Sequence, residues 1–207
     1  MKRAGAALAE DAAPGDAVAV PRLILDVAAR LLRQRGYEAM TVRAIAEQVG
    51  IKAGSIYYHY PSKDAIAAAV VNEGVEVVHQ AVTAALAALP PGADAGDRLE
   101  AAVRAHLLSS LHNSDYTSAS IRAFTFLPDG IREESRLRRR RYEEVWAGIV
   151  AEAAAAGLIR ADISPDVVRL MLLGAVNWAG EWYRPEGRLT IDRISHDFAE
   201  LVFGRRP

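Results

Sequence analysis

The residues best suited to chemistry lie in one short stretch, KAGSIYYHYPSKDAI, at residues 52–66. It combines three tyrosines, a histidine and two lysines with small residues near its start. Tyrosine, histidine and lysine side chains donate hydrogen bonds to phosphate oxygens. Small residues such as Ala53 and Gly54 let a backbone approach base edges closely. This combination indicates contact with a phosphate-rich partner.

The charge distribution favours the same kind of partner. Residues 21–64 carry seven lysines and arginines against four acidic residues, whereas the whole chain has a net charge of −1. A basic end on an otherwise acidic protein favours binding of a polyanion at that end. The chain has no cysteine, which excludes disulfides and thiolate metal sites and fits a reducing cytoplasm.

Helix signals run along the chain without strand-length alternation, so we predict an all-α fold of about nine helices. Caps, glycines and prolines predict helices over 21–35, 41–50, 52–58 and 62–89. Beyond a PPGADAG loop, further helices are expected over 97–112, 115–127, 131–156, 164–183 and 190–203. Asp97 and Glu100 have the spacing of a capping box at the start of the first of these.

Neither the N-terminal segment nor the most apolar run of the chain predicts a membrane segment. Glu10 and Asp11 interrupt the N-terminal alanines before an apolar core can form, so we expect a mobile arm over residues 1–19 rather than a signal peptide. The most apolar run, 170–180, is too short to span a bilayer. We therefore expect a cytoplasmic protein.

The elements over 20–66 predict a helix-turn-helix unit. Ile45, Val49 and Ile56 are spaced to meet inside, with Tyr60 in the same inward register, which leaves most of 52–59 exposed. A two-turn helix fits a major groove about 12 Å wide. The predicted DNA-contacting residues are Thr41, Arg43, Lys52, Ala53, Gly54, Ser55, Tyr57, Tyr58, His59 and Lys63.

Residues 36–66, GYEAMTVRAIAEQVGIKAGSIYYHYPSKDAI, resemble the DNA-binding domain of the TetR family of transcriptional repressors. The shared features are a glycine–aromatic pair, T-V-x-x-I-A, G-x-x-Y-x-H and a P-S-K start to the fourth helix. Lys52 stands where the family has a capping serine, and Tyr60 replaces a phenylalanine. The resemblance implies a helix-turn-helix domain over 20–66 and a ligand-binding and dimerisation domain over 67–207.

The resemblance also implies a dimer. The uncharged run 170–180 is apolar nearly all round, so both of its faces need cover. A two-fold dimer would place two recognition helices in major grooves about 34 Å apart. An unusually apolar monomer core is the alternative. The predicted interface residues are Val167, Leu170, Met171, Gly174, Trp182, Ile191, Ile194, Phe198 and Leu201.

The middle helices mix apolar bulk with polar groups, as a ligand pocket would. No spacing singles out any one residue, so ordinary core or surface roles stay open for each. The predicted lining residues are His106, Ser110, Tyr116, Arg122, Phe124, Trp146, Asn177 and Trp178. The segments 155–166 and 174–190 resemble a TetR subgroup that includes acyl-CoA-responsive repressors. This implies a small hydrophobic effector, for which an acyl-CoA is one candidate, with no cofactor or metal.

The run RLRRRRYEE, at residues 136–144, allows two interpretations. It could clamp the phosphates of coenzyme A. It also contains members of three i,i+4 pairs, Glu134–Arg138, Arg139–Glu143 and Arg140–Glu144, which favour a solvated face. We expect the solvated face.

We predict a dimeric, ligand-released DNA-binding repressor that is not an enzyme. Two alternatives belong to other classes. A small α-helical hydrolase or lyase is disfavoured because the sequence contains no nucleophile elbow, phosphate loop or zinc-helix signature. A dimeric adaptor without effector would bind DNA by shape, with salt-dependent affinity and no preferred sequence.

Overall fold

The computed structural model describes residues 16–112 and 114–203, and the regular secondary structure in these ranges is entirely helical. A single 3-10 turn, Phe124–Phe126, follows the sixth helix. The helices are α1 (Asp16–Ala39), α2 (Val42–Val49), α3 (Ala53–His59), α4 (Lys63–Ala87), α5 (Ala95–His112), α6 (Ser114–Arg122), α7 (Asp129–Ala155), α8 (Pro165–Asn177), α9 (Ala179–Trp182) and α10 (Ile191–Phe203). Because α9 is one turn that continues α8, the described fold agrees with the all-α prediction of about nine helices.

The side-chain caps expected at Thr41 and Ser62 form, whereas Ser164 makes no side-chain cap at the start of α8. The Thr41 hydroxyl accepts from the Ala44 amide at the start of α2, over 3.1 Å. Ser62 does the same for Ala65 at the start of α4, over 3.0 Å. Gly50 ends α2 with φ of +81°, a left-handed conformation that favours glycine. These caps fix where the short helices of the N-terminal unit begin and end.

Several boundaries differ from the prediction. Residues 1–15 of the expected arm lie outside the described residues, whereas 16–19 already belong to α1. Helix α5 begins two residues early because Asp94 and Asp97 cap each other's amides, over 2.9 and 3.0 Å. The helix expected over 164–183 is broken at Trp178, which divides it into α8 and α9.

The helices enclose two hydrophobic cores that share α4. The first core joins α1, α2 and α3 to the start of α4 and to one face of α6, and it extends along α4 as far as Val71. The second begins at Val75 and joins α4 to α5, α7, α8 and α10. The domain boundary expected after residue 66 therefore falls inside the first core.

Helices α4 and α6 cross closely at Gly74. A Cβ atom placed on Gly74 would lie 2.4 Å from the backbone oxygen of Tyr116, closer than any side chain can approach. Glycine is required here by the backbone of the opposing helix, and not by an unusual φ angle. The crossing brings the middle of α4 directly against α6, whose buried residues belong to the first core.

The described ranges contain neither a membrane span nor a metal-binding cluster. In this part of the chain, none of the helices is both long enough and apolar enough to cross a bilayer. The same residues contain no group of three or more histidine or acidic side chains placed to hold a metal ion.

Candidate nucleic-acid interface and effector cavity

Helix α3 presents one continuous exposed face. Ile56 anchors the helix in the first core and is fully buried, whereas Tyr57 and Tyr58 are 55% and 89% exposed. The Tyr58 ring meets His59 edge-on, with 5.4 Å between the ring centroids. The remaining predicted DNA-contacting residues of this segment, which are also exposed, are Lys52, Ala53, Gly54 and Ser55. The sequence prediction and the structure thus place one set of residues on one surface.

The start of α2 precedes α3 in the sequence and carries two more of the predicted DNA-contacting residues. Thr41 and Arg43 are both exposed, although the Thr41 hydroxyl already serves as a helix cap. Lys52 occupies the cap position of α3 with an extended backbone and makes no side-chain cap. The loss of the usual serine cap therefore leaves the Lys52 side chain available to a partner.

Lys63 is held by the protein itself. Its Nζ lies 4.0 Å from the centroid of the Tyr37 ring and 3.4 Å from the carbonyl oxygen of Glu38. The Tyr37 hydroxyl in turn donates to Asp64, and the Tyr60 hydroxyl donates to the Pro21 carbonyl over 3.3 Å. Lys63 thus ties the start of α4 to the end of α1, besides carrying a charge at the edge of the DNA-facing unit.

A polar cavity lies between the middle of α4 and helices α5, α6, α7 and α8. Its empty space is about 450 Å³, part of which is open to solvent. Apolar walls come from α4, α6 and α8, and most polar groups come from α5, α6 and α7. The lining residues are Gly74, Val75, Val78, His106, Thr117, Ser120, Ile121, Arg139, Tyr142, Glu143, Leu173 and Asn177.

A neutral histidine–tyrosine pair forms one wall of this cavity. His106 is 1% exposed, and its Nδ1 lies 2.6 Å from the hydroxyl oxygen of Tyr142. Burial lowers the pKa of His106 to about 4, so the imidazole is uncharged at neutral pH. Burial also raises the pKa of the Tyr142 phenol, which keeps its proton. The ring of Trp146 packs edge-on against both, with centroids about 6 Å away.

The predicted pocket residues divide into three groups. His106 and Asn177 line the cavity, and Trp146 lies directly behind it. A smaller cleft between α5, α6 and the α8–α9 segment, with about 360 Å³ of empty space that is partly open to solvent, is lined by Ser110, Arg122, Asn177 and Trp178 among others. Arg122 pairs there with Glu181.

Tyr116 and Phe124 do not line either site, so this part of the prediction is corrected. Tyr116 is buried in the first core, where its hydroxyl donates to Asp26 over 2.6 Å, and Phe124 packs against the same core. Helix α6 turns about 100° per residue, so neighbouring residues face different sides. Thr117, next to Tyr116, is the one that reaches the cavity.

Arg139, which the sequence does not distinguish from the neighbouring arginines, lines the cavity. Arg138, Arg140 and Arg141 are exposed, as a solvated face requires, but Arg139 is half-buried. Its guanidinium lies 3.8 Å from the centroid of the Phe124 ring and donates to the Ser120 carbonyl. The solvated-face interpretation therefore does not hold for Arg139.

The acidic partners expected for this run are engaged elsewhere. Glu134 accepts a hydrogen bond from Asn72 over 3.4 Å, and Glu143 pairs with Arg169 over 3.6 Å. The sequence did indicate one of the missed cavity residues, because a glycine such as Gly74 inside a helix usually marks a close approach. No spacing signal distinguishes Thr117 or Arg139 from their neighbours.

Helices α8 and α9 expose an apolar face. The residues of this face are Val167, Leu170, Met171, Gly174, Trp178 and Trp182. All of them except Trp178 belong to the predicted interface. The stripe expected on α10 is different. Ile194 is buried in the second core, and Ile191 and Phe198 pack against it, because α10 packs on α5 of its own chain. Of that stripe only Leu201 is exposed, at 83%.

Comparison with known families agrees with this arrangement of a helix-turn-helix unit and a helical body. The model of bacterial regulatory proteins of the tetR family matches residues 24–70, and that of the tetracyclin repressor-like C-terminal domain matches residues 92–205. The chain belongs to the TetR family of transcriptional repressors. In this TetR-family protein the first match covers most of α1, all of α2 and α3 and the start of α4, and the second covers α5 to α10.

Individual relatives extend along nearly the whole TetR-family chain. It is 27% identical to the HTH-type transcriptional repressor KstR2 of Rhodococcus jostii (strain RHA1) over 188 residues, covering 86% of this chain and 87% of the relative. The crystal structure of AibR in complex with isovaleryl coenzyme A and operator DNA matches with a TM-score of 0.77 and 27% identity, over 89% and 98% of the two chains. That of the superantigen PfiT matches with a TM-score of 0.74 and 30% identity, over 90% and 97%.

Proposed function

We propose that this protein is a homodimeric repressor that binds a palindromic operator and is released by a small hydrophobic effector, with an acyl-CoA as the first candidate. The observation that carries the proposal is the course of α4. This helix starts at the Ser62 cap in the DNA-binding unit and continues unbroken past the cavity residues Gly74, Val75 and Val78. A change at the cavity is therefore connected to the DNA-facing surface by one rigid element.

The exposed face of α3 supports operator binding. A helix of seven residues bearing small side chains at its start and tyrosines further along suits a major groove with phosphates on either side. The exposed apolar face of α8 and α9 supports a dimer, because monomeric proteins rarely leave such a patch uncovered. A two-fold dimer would read a palindrome with half-sites about one helical turn apart. Such a protein would work in the cytoplasm, where the DNA is.

The effector class rests on similarity. AibR, whose structure contains isovaleryl coenzyme A and operator DNA, shares the fold and 27% identity with this chain. The cavity of this chain combines polar groups with an apolar part from α4, α6 and α8 that suits a short acyl group.

Helix α6 provides a second route from cavity to DNA-binding unit. One face lines the cavity with Thr117, Ser120 and Ile121. The start of α6 contacts α1, where Asp115 pairs with Arg33 over 2.6 Å and the Tyr116 hydroxyl donates to Asp26. An effector that shifts α6 would thus shift α1 as well. The effector changes operator affinity only as far as it binds the DNA-free arrangement more tightly.

The test uses operator fragments selected from a random duplex pool with the purified protein. We expect a palindromic site, bound as a dimer, and at least about tenfold weaker binding in the presence of isovaleryl-CoA, measured by fluorescence anisotropy at fixed salt. Free coenzyme A is the control. Recovery of no preferred sequence would contradict the repressor and favour the shape-binding adaptor. A preferred site whose affinity no short acyl-CoA changes would contradict the effector class alone.

A further inference from the structure

We infer that the cavity binds a carboxylate group of the effector, with Arg139 as its cationic partner and with Thr117 and His106 as further hydrogen-bonding groups. The inference rests on the proposed function, because it treats this cavity as the effector site. It adds the chemical class of the group that enters the cavity, which the resemblance to acyl-CoA-responsive repressors does not specify.

Two deeply buried polar atoms in the cavity wall point to a polar ligand. The Thr117 side chain is on a residue only 4% exposed, and His106 is 1% exposed. Within the part of the chain that the structure describes, neither the Thr117 Oγ1 nor the His106 Nε2 has a hydrogen-bond partner. Buried polar atoms are nearly always paired, since leaving one unpaired is costly. A bound molecule with hydrogen-bonding atoms would satisfy both.

The charge of Arg139 specifies the sign of that molecule. Its guanidinium contacts the Phe124 ring and the neutral Ser120 carbonyl, and its Nε has no hydrogen-bond partner among the described residues. Burial lowers the pKa of Arg139 to about 10, so the charge persists at neutral pH without full compensation. Glu143 opposes this lowering in part, but its carboxylate also pairs with Arg169.

An arginine with an unpartnered Nε in a cavity that mixes polar and apolar walls is well suited to a carboxylate. Its planar fork matches two carboxylate oxygens, and the ion pair gains strength where water is excluded. The apolar part of the wall comes from Val75, Val78, Ile121 and Leu173. The geometry therefore favours a short hydrocarbon that ends in a carboxylate. Such a group occurs in a free short-chain acid and at the far end of a dicarboxylic acyl thioester.

The experiment measures binding to the purified full-length protein without DNA, by isothermal titration calorimetry. One arm compares hexanoate with hexanamide, and the other compares adipoyl-CoA with hexanoyl-CoA. We expect the carboxylate to bind about ten- to a hundredfold more tightly than its uncharged counterpart in at least one arm, because hydrogen bonds to charged groups are stronger. The arm that shows the preference identifies the source of the carboxylate.

Arg139→Met is the decisive variant, because methionine keeps the packing against Phe124 without the charge. We expect it to abolish the preference for the carboxylate, whereas Arg138→Met, at an exposed neighbouring position, should leave that preference unchanged. Equal affinity for both members of each pair in the wild type would overturn the inference. So would a carboxylate preference that survives Arg139→Met. Neither outcome depends on operator binding or release.

Thr117→Val keeps the inference testable if Arg139→Met does not fold. Valine has nearly the shape of threonine and removes only the unpartnered hydroxyl. We expect a higher melting temperature of the ligand-free protein together with weaker carboxylate binding. A raised melting temperature with unchanged carboxylate affinity would show that the hydroxyl does not face the ligand, and would count against the inference.

Discussion

Tyr57 and Ser55 lie on the exposed face of α3 but are suited to different parts of a duplex. Ser55 stands near the start of the helix, beside Ala53 and Gly54, whose small side chains would let the backbone approach base edges. Tyr57 carries its hydroxyl at the end of a long side chain that can reach phosphates flanking the groove. The two residues should therefore contribute differently to affinity and to sequence preference.

Replacing Tyr57 by phenylalanine should reduce the binding free energy for all operator variants by a similar amount, about 1 kcal/mol, because a phosphate contact carries no sequence information. Ser55→Ala should instead change the preferred base at one position. Both can be measured by competition binding against a library of single-base operator variants. A uniform loss for Ser55→Ala would contradict this division of roles.

His106 makes the stability of the protein dependent on pH. Its pKa is about 4 in the folded protein and near 6.5 when unfolded, so the unfolded chain binds more protons between these values. Stability is therefore highest above about pH 6.5 and falls as the pH decreases toward 4. We expect this residue alone to cost about 2 kcal/mol of unfolding free energy between pH 8 and pH 5.

Urea unfolding of wild type and His106→Gln at both pH values isolates this effect from the carboxylates, which titrate in both proteins. The difference in unfolding free energy between the two proteins should shift by that amount in favour of the glutamine variant at pH 5. His196→Gln, at an exposed position, serves as the control. A constant difference across the range would contradict the buried neutral imidazole.

Sequence reasoning succeeded at the residue scale where a motif fixes several neighbours together. Within 52–58 Ile56 is the residue spaced to meet the core. The other residues of this segment then lie at the surface, so their exposure could be predicted. Arg139 could not, because four consecutive arginines look alike until the rotation of α7 about its axis is known. That rotation depends on which neighbours the helix packs against.

Among the elements, the close crossing of α4 and α6 has the most specific requirement. Gly74→Ala would place a methyl group against the backbone of Tyr116, which cannot move without displacing α6. We expect a loss of about 1–3 kcal/mol in unfolding free energy. Denaturant unfolding of purified variants measures it.

Gly148→Ala is the matched control, since Gly148 lies in the interior of α7 and a Cβ atom there meets no neighbouring group. It should raise stability by up to about 1 kcal/mol through helix propensity. Equal effects of the two substitutions would mean that α4 and α6 are not in close contact.

Element boundaries were predictable where a side chain caps its own helix. Thr41, Ser62 and Thr190 each accept from an amide three residues later, and each is the first residue of a helix range predicted from the sequence. The break at Trp178 could not be placed from the sequence, because neither Trp178 nor its immediate neighbours are glycine or proline. The start of α5 was misplaced because Asp94, a second aspartate three residues before Asp97, makes an equally good cap.

For the whole molecule, the proposed dimer depends on the apolar face of α8 and α9. Met171→Glu would place a charge in the middle of that face and should convert dimers to monomers, with loss of binding to the full palindrome. Analytical ultracentrifugation and operator titration measure the two effects. Leu137→Glu, at an exposed apolar position on α7, should change neither. A dimer that survives Met171→Glu would require a different interface.

The division of the molecule into two bodies was predictable only in outline. The helix-turn-helix motif marks where the DNA-binding unit begins, but its core recruits Ile66 to Val71 and one face of α6, which lies more than forty residues further along the chain. The apolar stripe on α10 also looked like a free interface because its period is that of a buried face, and a buried face can be covered by its own chain or by another. Only the fold decides which.

The shared use of α4 and α6 limits how this regulator can be recombined. A chimera that joins residues 20–66 to the body of another repressor would leave behind the side chains that complete the first core, including Tyr116, Ala119 and Ala123. Such a graft would expose apolar surface and should be insoluble. Exchange of operator specificity in this chain is therefore better attempted by substituting the surface of α3 than by transplanting the unit.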